Sequence, residues 1–469
     1  MEEENKYLGT GNIPKLMLKF SVPCVLSLLV SALYNIVDQI FIGNSELSVL
    51  GNAATGVVFP LFVISQAFAW CFGDGCAAYL NICQGRNDAE KAHKAIGSGL
   101  TLTIISGLLL MALFYPLKIP VLTLFGASEN SIGLASEYFV IILGFFPVYM
   151  AMNMMNGVMR SDGSPAWAMA SMLAGAATNI VLDALFIIVL KLGMAGAAWA
   201  TVAGQTVSLV ICAVYFTFFT KTFKLSLKSL IPDFKVFVHA LKLGVSSFIT
   251  QMTIVVISVL CNVMLSKYGA MSPYGKDIPI ALIAVESKVF TVVISIVVGI
   301  VLGCQPIIGY NVGADNTDRV KKIYLYILIC TLTVSITATI LFEAAPRAVA
   351  GIFGEPDPAQ GIDTEMYWDF AVKLFRIFLM FITFTLTIKM SSIFFQAAGR
   401  PVLAVIASVV RDIVCFVPLA CILPMFYGID GVLWAAPVSD FVAIIVAVVL
   451  TVLYFKKLKP KQEKEAERD

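Results

Sequence analysis

The sequence predicts an all-α membrane protein with twelve transmembrane helices, and three observations lead to this fold class. Of the 469 residues, 59% are hydrophobic and 13% are charged, whereas soluble domains carry roughly 25% charged residues. Apolar runs of about 20 residues, the length that crosses a bilayer as a helix, recur along the whole chain. The apolar residues do not alternate with a period of two, which argues against a barrel of strands.

Twelve apolar segments meet the length requirement. They lie near residues 17–42, 52–82, 94–116, 133–159, 165–190, 195–219, 239–267, 279–309, 319–343, 368–396, 401–425 and 430–455. The stretch before the first segment is acidic and polar and has no small-residue cleavage site, so we do not expect a cleaved signal peptide. We expect the mixed-charge residues 456–469 to form a solvated tail.

Lysine and arginine are distributed unevenly between the two sets of alternating loops. The segments on the side of the N-terminus hold twenty-two of these residues, and the opposite loops hold five. Because cytoplasmic loops are enriched in lysine and arginine, both termini are predicted to lie in the cytoplasm. The net charge of +2 gives no reason to expect nucleic-acid binding.

The chain repeats itself at about half its length. Gly163 and Gly399 begin similar Gly-x-Pro loops 236 positions apart, and Gly196 and Gly431 lie in similar sequences 235 positions apart. The repeat predicts an N-terminal six-helix lobe at 1–220, a cytoplasmic linker at 221–242, a C-terminal six-helix lobe at 243–455 and a charged tail at 456–469. An even number of helices gives both lobes the same orientation, so their symmetry axis runs along the membrane normal.

Three acidic residues lie inside helices of the first lobe, where a charge costs at least ~2.5–3.5 kcal/mol. They are Asp38, Asp74 and Asp183. No lysine or arginine falls in the middle of a first-lobe helix, so we expect these acids to lack a cationic partner within the lobe. Asp74 lies in a Gly-Asp-Gly sequence where the helix could open, and we expect a packing or gating role for it. The other two acids indicate a site for a proton, a metal cation or a cationic substrate.

Other polar residues share helix faces with these two acids. Tyr34 and Asn35 precede Asp38 by four and three residues, and Asn179 precedes Asp183 by four. Carboxylate and amide oxygens suit hard cations. We therefore predict a cation or proton site at Asp38, Asn179, Asp183 and Thr201, and substrate contacts at Tyr34, Asn35, Asn153 and Asn156. The alternative is that these polar groups hydrogen-bond neighbouring helices together.

The second lobe carries acids and bases together. Glu286, Lys389, Arg411 and Asp412 lie in or near its predicted helices. One interpretation is ion pairing between helices, and the other is a second site or a network that responds to a transport cycle. The ten cysteines form no CxxC pair and the chain has two histidines, so we expect no permanent metal, no cofactor and no enzymatic activity.

Together, these features resemble the MATE (multidrug and toxic compound extrusion) family. The resemblance rests on Pro23, fifteen residues before Asp38, on the Asn179 and Asp183 pair, and on the two Gly-x-Pro loops. The Gly-Asp-Gly sequence and the Gly-Arg-Asn-Asp sequence at 85–88 are similar to the bacterial MepA-like branch of this family. The resemblance covers nearly the whole chain.

The resemblance implies a V-shaped, monomeric exporter in a bacterial cytoplasmic membrane, which exchanges small organic cations for H⁺ or Na⁺. It implies a first-lobe pocket lined by residues that match Asp38, Asn156, Asn179, Asp183 and Thr201, and a bend of the first helix at Pro23 during the cycle. Some relatives use an acid in the seventh helix, where this sequence offers Gln251 and Asn262. The alternatives are a flippase for lipid-linked oligosaccharides, which a basic second lobe would favour, and an uncoupled channel.

Overall fold

The computed structural model describes residues 2–43, 48–127, 129, 131–223, 229–275, 277–352 and 363–458. Within these ranges the chain is helical and contains no β-strand. Ten helices are long and apolar enough to cross a membrane, and two bent helix pairs bring the number of candidate spans to twelve. Each of the twelve predicted segments corresponds to one of these helices or pairs, so the predicted fold class is confirmed.

In the described part of the first half of the chain there are nine α-helices. They are α1 (Glu2–Thr10), α2 (Ile13–Gly43), α3 (Ser48–Gly85), α4 (Ala89–Phe114), α5 (Lys118–Leu124), α6 (Ile132–Gly144), α7 (Phe146–Ser161), α8 (Pro165–Asp183) and α9 (Gly193–Phe218). Asp88 caps α4 because its carboxylate accepts a hydrogen bond from the backbone N–H of Lys91. Pro165 begins α8 at a position where a backbone N–H would have no partner within the helix.

The described residues of the second half contain nine further α-helices. They are α10 (Phe234–Gly269), α11 (Asp277–Gly313), α12 (Thr317–Ala344), α13 (Pro346–Gly351), α14 (Thr364–Phe378), α15 (Ile382–Ala397), α16 (Pro401–Val409), α17 (Val417–Tyr427) and α18 (Ile429–Lys457). Asp363 caps α14 by accepting hydrogen bonds from the backbone N–H groups of Glu365 and Met366.

Two irregularities recur in both halves. The fourth span of each half is bent, by 56° between α6 and α7 and by 48° between α14 and α15. The fifth span of each half contains a π-helical turn, at Ala184–Val189 and at Val410–Phe416. Such turns are frequent at functional sites. Here the first follows Asp183 directly, and the second contains Arg411 and Asp412.

The described chain divides into two compact units. Unit 1 consists of Met1–Met252, Leu302–Val320 and Gln396–Pro401, and unit 2 of Thr253–Val301, Lys321–Phe395 and Val402–Asp469. Unit 1 therefore contains the first-half helices together with short segments of the second half. The sequence-based lobe boundaries stay a prediction, and residues 224–228 of the linker and 459–469 of the tail lie outside the described residues.

Candidate functional site

Helices α8 and α9 of unit 1 pack closely because glycines lie at their interface. A Cβ atom on Gly204 would lie 2.6 Å from the carbonyl oxygen of Gly175, and a Cβ atom on Gly175 would overlap the hydroxyl of Ser208. Small residues of this kind allow transmembrane helices to approach each other closely. The approach places Asn179 of α8 and Thr201 of α9 on the wall of one cavity.

Two carboxyl groups face each other in this part of unit 1. Asp38 comes from α2 and Asp183 from the end of α8. Asp183 is fully buried, and neither of its carboxyl oxygens has a hydrogen-bond donor; Oδ1 of Asp38 is buried without one as well. Two ionised carboxylates at this range repel each other, and a buried polar atom without a partner costs free energy. The pair is therefore suited to hold positive charge, as one shared proton or as a bound cation.

A small cavity lies near the carboxyl pair, and its wall combines polar side chains with apolar ones such as Met152 and Met172. Its polar lining is Tyr34, Asn179, Thr201, Gln205 and Ser208, and its volume is ≈ 20 Å³. Asn179 is buried, and neither the nitrogen nor the oxygen of its amide makes a hydrogen bond of normal geometry. A cavity of this size admits roughly one water molecule. It therefore suits a water molecule or a small cation, and it is too small for an organic drug.

Tyr138 is a neighbour of this site that the sequence interpretation missed. It comes from α6, is buried, and lies near Thr201, Asp38 and Asp183. Its position depends on how the bent pair of α6 and α7 packs against α9, which the helical period does not reveal. No distinct sequence signal marked it, because the same span also contains Glu137, Tyr149, Asn153 and Asn156.

The predicted substrate residues fall in three different environments. Tyr34 lines the cavity, while Asn35 is exposed and its amide N–H donates to the backbone of its own helix. The amide of Asn153 donates to the backbone of α7 in the same way. Asn156 is buried and joins α7 to α8, because its amide donates to a carbonyl and to a hydroxyl of α8. Their role in substrate binding stays a prediction.

Pro23 lies inside α2, which is continuous from Ile13 to Gly43. Proline removes one backbone donor from a helix interior. The hydroxyl of Ser27 donates to the carbonyl of Pro23 over 2.7 Å. That the helix bends at Pro23 during a transport cycle stays a prediction.

Asp74 has a cationic neighbour, so the expectation that it would lack one was wrong. Nη2 of Arg160 lies 4.0 Å from Oδ1 of Asp74, and Nη1 of Arg160 donates to Oδ1 of Asn156 over 2.6 Å. Arg160 lies in the last turn of α7, and its long side chain reaches back among the helices. The expected local opening at Gly73–Gly75 is absent as well, since α3 is helical throughout that segment.

Unit 2 contains a buried network of ion pairs. The carboxylate of Asp412 accepts hydrogen bonds from Lys389 at 2.6 Å, from Arg411 at 3.1 Å and from the hydroxyl of Thr253 at 3.1 Å. Arg411 also donates to Asp440 over 2.8 Å. Three of the four predicted second-lobe residues are thus in direct contact.

Glu286 is buried but stands apart from these ion pairs. It is 4% exposed, and the Ser287 hydroxyl donates to its Oε2 over a long distance of 3.5 Å. Arg411 is the charged group that acts on it electrostatically. A buried carboxylate with so weak a contact costs free energy unless positive charge compensates it.

A buried carboxyl pair near a small cavity, inside a bundle of helices that are long and apolar enough to cross a membrane, is an arrangement typical of a membrane transporter. The MatE family model matches residues 23–185 and 246–422. The match covers more than half of the chain, so the chain belongs to the MatE family of transporters.

Relatives of the same kind match over nearly the full length. The chain is 24% identical to the "Multidrug export protein MepA" of Staphylococcus saprophyticus, over 97% of each chain. It is 22% identical to the protein of the same name from Staphylococcus aureus strain MRSA252, again over 97% of each chain.

Solved structures share the fold. The structure of the MATE multidrug transporter DinF-BH is 29% identical with a TM-score of 0.87, covering 96% of this chain and 98% of that one. An outward-facing multidrug resistance MATE family transporter is 23% identical with a TM-score of 0.86, covering 97% and 98%.

Proposed function

We propose that this chain is a secondary active antiporter that exports small, mostly cationic drugs or toxic compounds in exchange for H⁺ or Na⁺. The observation that carries the proposal is the buried pair of Asp38 and Asp183, in which neither oxygen of Asp183 has a hydrogen-bond donor. Membership of the MatE family supports it, as do the names of the relatives, which are multidrug export proteins.

The mechanism follows from competition for the same negative charge. A proton or sodium ion bound at Asp38 and Asp183 neutralises the pair and weakens its attraction for a cationic drug. A ligand shifts a conformational equilibrium only by its different affinities for the two states. Ion binding from outside therefore favours release of the drug there, and ion release inside restores the affinity for the next drug molecule.

The coupling ion is tested with inside-out vesicles that contain the purified chain. Ethidium uptake is followed under a pH gradient alone and then under a Na⁺ gradient alone. We expect uptake under one of the two gradients, which identifies the ion. Absence of uptake under both, by correctly folded protein, would overturn the proposal.

The Asp183→Asn variant tests the carboxyl pair directly. We expect it to insert and fold but to lose gradient-driven export, because an amide cannot bind a transported proton or carry the charge that attracts a cation. The control is Glu137→Gln, which removes an exposed carboxylate from α6. Intact export by Asp183→Asn would exclude the pair as the coupling site.

A flippase for lipid-linked oligosaccharides is less well supported. Its substrates carry phosphates and would require a basic cavity, whereas the cavity in unit 1 lies near two carboxyl groups. A lipid-flipping assay on the same vesicles separates the two functions.

We also propose a role in the cycle for the charges in unit 2. Lys389, Arg411, Asp412 and Asp440 balance one another, and Glu286 adds a negative charge in a buried position. A charge at this depth costs at least ~2.5–3.5 kcal/mol, so Glu286 favours binding of a proton or another cation. We expect Glu286→Gln to change the pH dependence of export. An unchanged pH profile would leave Glu286 with a packing role.

A further inference from the structure

The Gly73–Asp74–Gly75 segment of α3 has a different neighbour on each side. A Cβ atom on Gly73 would lie 3.0 Å from the Cα atom of Met154 in α7. A Cβ atom on Gly75 would overlap the carbonyl oxygen of Ala240 in α10. The two glycines therefore let α3 touch a first-half helix with one face and a second-half helix with the other. All these residues belong to unit 1.

At the glycines of the seam between α3 and α10, the backbones of the two helices touch. A Cβ atom on Gly244 of α10 would overlap the carbonyl oxygen of Cys71 in α3. Side chains also meet across this seam, since the ring of Phe68 contacts that of Phe248 and the ring of Phe72 contacts that of Phe237. Separation of the two helices therefore exposes these aromatic side chains as well as the backbone at the glycines.

Asp74 links the two sides of the seam by hydrogen bonding. The hydroxyl of Ser247 in α10 donates to Oδ2 of Asp74 over 2.8 Å, and the amide of Gln396 donates to the same hydroxyl over 2.9 Å. On the other side, Arg160 of α7 lies 4.0 Å from Oδ1 of Asp74. The ion pair thus lies within the first half of the chain. The hydrogen bonds from Ser247 to Asp74 and from Gln251 to Gln66 cross the seam, and both have uncharged donors.

A second seam, between α11 and the helices α2 and α3, has the same character. A Cβ atom on Gly313 of α11 would overlap the carbonyl oxygen of Ile82, and one on Gly303 would lie 2.5 Å from the Cα atom of Ser21 in α2. Helix α1 lies at this seam as well, since the carbonyl of Leu8 accepts a hydrogen bond from Asn311 over 3.0 Å. Both seams lie toward the end of α3 that the charge distribution predicts to face the cytoplasm.

We propose that the Gly-Asp-Gly segment is the latch of a cytoplasmic gate. The proposal rests on the proposed transport function, which requires this end of unit 1 to open when the drug enters. On opening, α10 leaves α3; Ser247 keeps Gln396 as its partner, and Asp74 keeps Arg160. No buried charge loses its counter-ion on opening, whereas breaking an ion pair across the seam would leave a buried charge uncompensated.

Native cysteines report the opening without any engineered label site. Cys71 adjoins Gly244, and Sγ of Cys304 in α11 lies 3.5 Å from the hydroxyl of Ser21 in α2, so each belongs to one seam. Cys76 faces α4, because its thiol donates to the carbonyl of Ala95. We expect opening to raise the rate at which N-ethylmaleimide labels Cys71 and Cys304 and to leave Cys76 unchanged, as read by peptide mass spectrometry.

Two variants and one control test the latch in the full-length protein. Ser247→Ala removes the donor across the seam, and we expect labelling of Cys71 to rise about tenfold, the effect of one lost hydrogen bond to a charged group. Gly244→Ala inserts a methyl group into the α3–α10 contact, and we expect a similar rise of about tenfold from overpacking. The control is Gly133→Ala, whose added methyl group meets nothing within 4 Å.

The outcome separates the latch from the transport proposal, because labelling needs no substrate and no gradient. Faster labelling of Cys71 with an unchanged Cys76 supports the latch even if ethidium is not transported. Equal protection of Cys71 in the wild type and in Ser247→Ala would overturn it. A parallel rise at Cys71 and Cys76 in both variants would also overturn it, since that pattern reports general loosening of α3.

Discussion

Arg411 contacts both carboxylates of the ion network in unit 2. Its Nε donates to Asp440 over 2.8 Å and its Nη1 to Asp412 over 3.1 Å. Of these two carboxylates, Lys389 donates to that of Asp412. The four side chains are at most 13% exposed, so solvent screens their charges weakly. Removal of the positive charge is therefore expected to lower the stability of the protein by different amounts at Arg411 and at Lys389.

We predict that Arg411→Met destabilises the protein more than Lys389→Met does. Breaking a buried ion pair from one side costs about 3–5 kcal/mol, because it leaves a charge uncompensated. Arg411→Met leaves Asp440 without its cation, while Lys389→Met leaves Asp412 paired with Arg411. The measurement is thermal unfolding in one detergent at neutral pH.

The control for this comparison is the double variant Arg411→Met with Asp440→Asn. It should recover part of the lost stability, since it removes the charge that the single variant leaves unpaired. Equal melting temperatures for Arg411→Met and Lys389→Met would show that the network is not held mainly by Arg411.

The interface of α8 and α9 depends on backbone contact at its glycines. Gly204 of α9 lies against Gly175 and against Asn179, whose Cβ atom would be 3.0 Å from an added methyl group. We predict that Gly204→Ala lowers stability by about 1–3 kcal/mol, the usual effect of overpacking, and that it weakens export by moving Asn179.

The matched control for Gly204→Ala is Gly133→Ala in α6, where an added methyl group meets no atom within 4 Å. Alanine is preferred to glycine in a helix by about 1 kcal/mol, so we expect this variant to melt at the same temperature or slightly higher. Equal melting temperatures for both variants would show that the close packing at Gly204 does not contribute to the stability of the α8–α9 interface.

The sequence predicts those features of an element that nearby residues determine, and it does not predict the features that packing against other helices determines. Length and hydropathy predicted all twelve spans, and the helical period placed Asn179 four residues before Asp183 on one face of α8. The bend between α6 and α7 had a local signal, because Gly144 ends one helix and Pro147 begins the next. The bend before Ile382 and the π-helical turn after Asp183 follow no glycine or proline, and they arise from packing that one sequence does not reveal.

The same distinction applies to the site residues. Asp38, Tyr34 and Asn179 were found because each shares a helix face with another polar residue. Tyr138 and Arg160 were missed because their side chains reach the polar groups of other helices. Contacts between helices depend on the packing of the whole bundle, which periodicity within one helix does not determine.

The packing of α6 and α7 against α3 bears on the number of membrane crossings. Phe62 of α3 contacts the rings of Phe146 and Tyr149, and Asn81 donates to the hydroxyl of Ser161. Between Phe62 and Asn81, α3 rises about 28 Å, close to the thickness of the hydrocarbon core. The chain from α6 through α7 thus follows α3 across the membrane, which favours one bent span over a re-entrant loop and therefore twelve crossings over ten.

The side of the membrane on which the linker at 221–242 lies differs between these two topologies, whereas the side of the C-terminus is the same in both. With twelve crossings the linker lies on the same side as both termini, whereas re-entrant fourth and tenth segments place it on the opposite side and keep the C-terminus in place. The linker carries Lys221, Lys224, Lys228, Lys235 and Lys242, and the positive-inside rule places such a cluster in the cytoplasm. We predict that green fluorescent protein fused after Pro232 fluoresces and that alkaline phosphatase fused there is inactive, with C-terminal fusions as the control. Active phosphatase after Pro232, together with a fluorescent C-terminal fusion, would mean that the chain crosses the membrane ten times and that the bent pairs are re-entrant.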